Sequence, residues 1–462
     1  MRLSALQRTL VALLAVSLLG AAGLVAQAAV GQGTSDKTAA ELLAEAAKAL
    51  GQGNPEAALP LTQQAVTLAP DDPEVYYQQG LAYQALAREN EAEQAFGKAV
   101  RLRPSVPRYH YSLGLAYRQT GKENLALAEF LQVLRLEPDD PAAHHQAGEL
   151  LMDQGDAQGA VKHWEAALRA APDFTPALKA LGQHKYSEGQ LDEAISFWER
   201  AAQHDAFDAD LWWRLARAWG ERQKGDDLAN AVWALRQFRN LAPPSTDQEL
   251  IEHADRVLAG NADQAARRFL VRGLEVQQDP AKAVVYFNRA LDLCPDFAEA
   301  HYNRGVALQR LGRHNEAVSA YLQAAELAPG QAAQAAIHTN LGTAYLALKR
   351  PFQAERELRK ALELAPEDRT IRLNLALALW QQGSVAEGRV ALQALLKEDP
   401  QFASAYYNLA CLEANAGRRA DALDALRKAI GLNAGYREMA RQDPDLASLA
   451  EDPDFRALVA GP

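Results

Sequence analysis

His144-His145 is the residue pair in this chain whose type and adjacency best suit a metal ion, and Thr120-Gly121-Lys122 is the stretch nearest to a phosphate-binding loop. Neither carries far. A phosphate loop needs an earlier glycine at a fixed spacing so that its backbone amides can cradle the anion, and that glycine is missing. No H-E-x-x-H, G-x-S-x-G, Walker loop or paired C-x-x-C occurs, so metal-dependent hydrolysis, acyl transfer and nucleotide chemistry have no support in the sequence. A third set carries recognition instead of reaction. Asn303, Asn340, Asn374 and Asn408 each present one acceptor oxygen and two donor hydrogens, which can pair with the N–H and C=O of a peptide unit.

The elements that hold these residues follow from one period. Prolines stand at 70, 104, 138 and 172, evenly spaced. Gly80, Gly114, Gly148 and Gly182 share the step, as do Ala58, Ala92, Ala126, Ala160 and Ala194. Three residue types in one phase define an internal repeat. Each unit reads as two helices. In residues 73–106, Tyr76, Gln79, Gly80 and Tyr83 have the i, i+3, i+4, i+7 spacing of a helix face, and Ala92, Ala95, Phe96 and Ala99 form a second stripe. Gly121, Gly155, Gly189, Gly312, Gly383 and Gly417 fall in the turn between them, where a left-handed residue ends a helix at least cost. Prolines such as Pro104 stop the second helix, and Pro73, Pro107 and Pro141 open the next.

The pattern resembles the tetratricopeptide repeat, in which an aromatic, Leu-Gly, Tyr, Ala, an aromatic and Pro follow one another within each unit. Residues 107–140 carry it as His110, Leu113-Gly114, Tyr117, Ala126, Phe130 and Pro138. Eleven units are counted, from residues 39, 73, 107, 141, 175, 209, 264, 298, 335, 369 and 403. His110, His144, His301 and His338 all occupy the fourth position, where the family has a packing aromatic, so they are expected to be structural and no metal or other cofactor is expected. The resemblance implies an all-α fold of tandem helix-turn-helix units stacked into a right-handed superhelical solenoid. The phase slips near Gly220–Asp227 and near Gly330–Gln334. After Pro243-Pro244 an additional helix, roughly Asp247 to Leu258, fits no unit. The expected organisation is a signal peptide (1–28), a flexible linker (29–38), a six-unit array (39–244), the extra helix and phase break (245–263), a five-unit array (264–436) and a C-terminal cap (437–462).

In the family, the first-helix positions turned away from the packing stripe line a concave groove. Carried onto this chain, they place Tyr77, Tyr111, His145, Lys179 and Trp213 at the fifth position of successive N-terminal units. The middle holds Arg214, Arg217, Arg268 and Arg272, and Tyr302, Asn303, Asn340, Asn374, Tyr407 and Asn408 follow. The expected peptide-binding groove residues are the aromatics and asparagines of this set with Arg268 and Arg272. Asparagines at one repeat position would grip an extended peptide by its backbone, and the arginines would favour acidic ligand ends. Some family members continue into a catalytic glycosyltransferase domain, for which the short segment 437–462 after the last unit leaves no room. The implied function is non-catalytic binding of other proteins or extended peptides. A carbohydrate- or cell-wall-binding accessory, using groove aromatics as sugar platforms, is the alternative.

Composition narrows partners and compartment. A net charge of −11, deepening to −13 without Arg2 and Arg8, disfavours nucleic acid, since phosphate would be repelled. The start reads as a leader: Arg2 and Arg8, an apolar run from Leu10 to Val25, then Ala26-Gln27-Ala28 with small residues where a signal peptidase cuts. Cleavage before Ala29 would make the chain periplasmic or secreted, and an uncleaved leader would anchor it in the inner membrane, its one expected membrane contact. Cys294 and Cys411 are expected to lie too far apart for a disulfide.

Overall fold

The computed structural model describes residues 37–460, so the expected signal peptide (1–28) and most of the linker lie outside the described residues. Among those residues every regular element is a helix. They form two compact units, divided after Ala218. The first holds α1 (Ala39–Gly51), α2 (Pro55–Leu68), α3 (Pro73–Ala85), α4 (Glu89–Leu102), α5 (Pro107–Gln119), α6 (Glu123–Leu136), α7 (Pro141–Asp153), α8 (Ala157–Ala170), α9 (Thr175–Ser187) and α10 (Leu191–His204). The division falls inside α11 (Ala209–Arg222). The second holds α12 (Asp227–Leu241), α13 (Gln248–Glu275), α14 (Pro280–Leu293), α15 (Ala298–Arg310), α16 (His314–Leu327), α17 (Gln331–Ala347), α18 (Pro351–Leu364), α19 (Arg369–Gln381), α20 (Val385–Glu398), α21 (Ala403–Asn415) and α22 (Arg419–Leu432). It ends with α23 (Tyr436–Gln442), a 3-10 helix (Pro444–Leu449) and α24 (Pro453–Ala460).

Within each unit, consecutive helices pack as the tandem pairs the period predicts. The reason for the eighth-position glycine is close approach. A Cβ on Gly114 would lie 2.9 Å from the Phe130 ring. One on Gly148 or Gly182 would run into the indole of Trp164 or Trp198, each aromatic coming from the second helix of the same pair. Helix ends are local. Asp72 and Asp140 cap α3 and α7 by accepting from the amides of Glu74 (2.9 Å) and Ala143 (2.7 Å), with proline at the first helical position. All six turn glycines have φ between 72 and 94°, whereas Ala87 and Lys349 make the same turn without glycine.

Two departures correct the expected organisation, and a third feature shows what the insertion near Gly330–Gln334 builds. The orphan helix and the first helix of the seventh repeat are one 28-residue helix, α13. Nothing from Leu258 to Asp263 can break it, because a single Gly260 in a helix costs only about 1 kcal/mol against Ala. The N-terminal half of α13 buries Ala254 and Leu258 and packs against α12. Trp233 of α12 donates to Asp292 (3.0 Å), and the Arg289 guanidinium lies 4.3 Å over the same indole. Consequently α12 belongs to the second unit, and the chain divides at Ala218 instead of at 245–263. In the seventh repeat the glycine and aromatic that meet are Gly273 and Phe287, fourteen positions apart instead of sixteen, so its first helix is two positions out of phase with a count from 264. Finally, α17 begins at Gln331, before the counted start at 335, and Gln334 secures the added turn by donating to the carbonyls of Ala325 (2.6 Å) and Ala328 (2.8 Å).

After the last pair, the C-terminal segment covers α21 and α22. Leu446, Leu449, Phe455 and Val459 are buried in one cluster with Tyr407, Cys411 and Ile430.

Candidate functional site

Fourth-position residues are anchors. Tyr76, His110, His144, Trp212 and His301 each reach a carbonyl six positions earlier, those of Pro70, Pro104, Pro138, Ala206 and Pro295, at 2.8–3.0 Å. They satisfy acceptors just beyond a helix end that would otherwise lack partners. His144 therefore donates its Nε2–H to the Pro138 carbonyl, and its Nδ1 lies 2.9 Å from Nδ1 of His163. His145 takes a different environment, edge-on to Phe174 with ring centroids 6.0 Å apart. The adjacent pair is thus split between two packing roles.

At the fifth position Tyr77 and Tyr407 are buried, which corrects the expectation of exposed groove aromatics at those two residues. Tyr77 is 2% exposed, its ring 5.1 Å from Tyr109 of the next repeat and 5.9 Å from Phe96. Tyr407 is 5% exposed, stacks on Tyr436 at 4.7 Å and donates to Asp443 at 2.6 Å. Tyr111 and Trp213 are half-buried, and burial pushes the Tyr111 hydroxyl up to about 12. Lys179 pairs with Asp208. Tyr77 meets the third residue of the next first helix, whereas His145 and Lys179 meet the residue just before that helix, so these side chains are drawn toward the joint between repeats.

Arg268 and Arg272 are also placed differently. Both pair with Asp226, and Arg272 pairs with Glu275 at 2.6 Å as well. Counted from Gly273 as the eighth position, they are the third and seventh residues of their repeat, which elsewhere bury hydrophobic side chains such as Tyr109 and Leu113. Here that helix face meets the N-terminal end of α12, whose Asp226 attracts cations. In the first unit, Arg214 pairs with Asp210 (2.6 Å) and bonds Gln183, while Arg217 donates to the Tyr186 hydroxyl at 2.9 Å.

The asparagines are half-buried, at one position of four consecutive first helices. Asn303 and Asn408 each donate one amide hydrogen to the carbonyl four positions earlier, Glu299 and Ser404, both at 2.8 Å. Asn340 donates to the Tyr302 hydroxyl of the preceding repeat at 3.0 Å, and Gln309 donates to the Thr343 hydroxyl of the following one at 3.0 Å. The structure therefore joins Tyr302 to Asn340, while Asn303, Asn374 and Asn408 share the repeat position of Asn340.

Two features escape the sequence reading. The Arg389 guanidinium meets the Glu413 carboxylate at 2.5 and 3.0 Å, with Glu413 3% exposed. The available signal is a charge at the eleventh position, where other repeats carry Tyr83, Tyr117 and Tyr345. The second is Glu357, also buried. Burial alone would raise its carboxyl, but hydrogen bonds from His338, Lys360 and Arg356 hold it at about 2.

His145 gives the fold an acid sensitivity. Burial, and then the charges of Arg118 and Lys179, lower its imidazole to about 4. A depressed folded value means the stabilisation is complete above the unfolded value near 6.5 and is lost as pH falls through 4. The loss from this one group is on the order of 3 kcal/mol. Thermal unfolding of wild type and His145→Asn between pH 7 and 4 should show the flatter profile in the variant. Parallel profiles would remove His145 as the cause.

Comparison with known proteins agrees with the architecture. Models described as tetratricopeptide repeat match residues 73–106, 145–210, 296–367, 345–410 and 388–437, and one described as TPR repeat matches 114–155 and 277–312. Human protein O-mannosyl-transferase TMTC3 is 30% identical over 172 residues, covering 36% of this chain and 18% of that protein. Human tetratricopeptide repeat protein 13 is 32% identical over 138 residues, covering 30% and 16%. The chain thus spans less than a fifth of either relative. Among solved structures, PilW, titled a type IV pilus biogenesis factor, is 18% identical with a TM-score of 0.42, covering 47% of this chain and 99% of that one. YrrB, titled a TPR protein with an unusual peptide-binding site, is 20% identical with a TM-score of 0.34, covering 42% and 97%. Matched by repeat models over residues 73–106, 114–210 and 277–437, more than half of its length, the chain belongs to the tetratricopeptide repeat family.

Proposed function

We propose that the protein is a non-catalytic scaffold that binds extended peptide segments of partner proteins along the first helices of its second unit. The observation that carries this reading is the row Asn303, Asn340, Asn374 and Asn408, four amides at one repeat position, with at least one held in place by a neighbouring repeat through Tyr302. A ligand running along such a row meets the same donor and acceptor pair at every repeat, the arrangement an extended backbone can match. The carbohydrate reading loses two of its stacking platforms, because Tyr77 and Tyr407 are buried. Export is part of the proposal and rests on the leader-like start with Ala26-Gln27-Ala28, which makes the protein periplasmic or secreted.

Purification from the native host tests both parts. The mature chain should begin at Ala29 and carry protein partners; a chain starting at Met1 in the cytosol would refute export. Calorimetry on a recovered partner should then show the quadruple Asn→Ala variant binding more weakly by about 2–6 kcal/mol, at roughly 0.5–1.5 kcal/mol per lost hydrogen bond. Unchanged affinity with an intact fold would remove the row from the mechanism.

A further inference from the structure

The second unit also shows what kind of peptide its face accepts. We infer that this face selects uncharged segments with free backbone N–H groups, and discriminates against acidic, basic and proline-rich ones. The inference rests on the peptide reading above and concerns positions 5, 6, 9 and 12 of the first helices α15, α17, α19 and α21. Glu299 stands at the second position of α15, but none of the residues at these four positions is Asp, Glu, Lys, Arg or His. The same positions in the first unit include Arg118, Glu149, Lys179, Arg214 and Arg217. In a chain with 23% charged residues, the contrast separates the two faces chemically.

Hydrogen-bond direction adds a second, independent observation. The Thr339 hydroxyl donates to the Ala335 carbonyl at 2.7 Å, and that of Thr343 to the Asn340 carbonyl at 2.9 Å. Asn303 and Asn408 turn one amide hydrogen back to their own helices, and Asn340 gives one to Tyr302. The two threonines thus spend their hydroxyl hydrogens within the protein and these three asparagines one amide hydrogen each, leaving each asparagine one N–H beside two oxygen lone pairs. Such a surface has more acceptors than donors to offer, so it is complemented by a chain that brings N–H groups, and proline has none. A charged ligand side chain against these residues would lose water without finding a counter-charge. Arg268 and Arg272 do not change this, since both are paired with Asp226.

The test uses the full chain and synthetic dodecapeptide pools: one of Ala, Gly, Ser, Thr and Asn, the same pool with Asp or with Lys at every third position, and an N-methylated version of the first. Asn303→Lys marks binding at this face, with Asn374→Lys as a second variant in case the first fails to fold. Retention that responds to these variants should come from the uncharged pool, at least tenfold above the charged and N-methylated pools. Responsive retention of the acidic or basic pool, or equal retention of the N-methylated one, overturns the selectivity while leaving peptide binding intact. If no pool's retention responds to either folded variant, the peptide reading of this face fails and the inference with it.

Discussion

Replacing Trp198 by alanine should destabilise the protein by about 3–5 kcal/mol, the usual range for deleting a buried Trp side chain. Trp198 is 1% exposed, lies 5.5 Å from the Tyr186 ring and donates its indole N–H to the Lys179 carbonyl at 3.3 Å. It fills the space that Gly182 leaves open. The two positions should therefore couple. Gly182→Leu in the wild-type background forces a side chain into the indole and should cost about 1–3 kcal/mol or more. In the Trp198→Ala background the same leucine enters a cavity and should recover part of the loss. Denaturant unfolding of the four proteins checks this, and additive effects would mean that the close approach does not govern packing at this repeat. Since repeats stabilise only their neighbours, hydrogen exchange should rise around α9 and α10 and hardly at all in the second unit.

The second large effect is expected at Arg389–Glu413. With Arg389→Ala, the Glu413 carboxylate stays buried without its closest partner, a situation that typically costs about 3–5 kcal/mol. Arg418 is the remaining cation, 3.7 Å away and half exposed, so its help is screened by water. Replacing both members by apolar residues, Arg389→Met with Glu413→Leu, should restore most of the stability, because the desolvated charge disappears with its partner. A double-mutant cycle by chemical denaturation reads the coupling. A loss below about 1 kcal/mol for Arg389→Ala would show that Arg418 takes over the carboxylate, against this reading.

Most of the fold is legible in the chain because its determinants are local and repeated. Gly114, Ala126 and Pro138 recur at the period of the repeat, and each does its work within one helix pair, by close approach, packing or termination. The seventh repeat departs from the count for the same reason. Counting along the chain assumes constant turn length, and only the contact of Gly273 with Phe287 reveals the shift that carries Arg268 and Arg272 to Asp226.

The period, the helix pairs, the structural role of the fourth-position histidines and the row of asparagines were determined by sequence alone, through residue types at fixed spacing. Which side of a helix meets solvent was not. Hydrophobic periodicity separates buried from exposed faces only when the two differ in polarity, and Tyr77 and Tyr407 are amphipathic residues that suit either. Tertiary structure decided that both are buried, because the next first helix covers one and Tyr436 with Asp443 covers the other. It likewise decided that α13 is continuous, since no residue from Leu258 to Asp263 breaks the helix and its N-terminal half is held against α12.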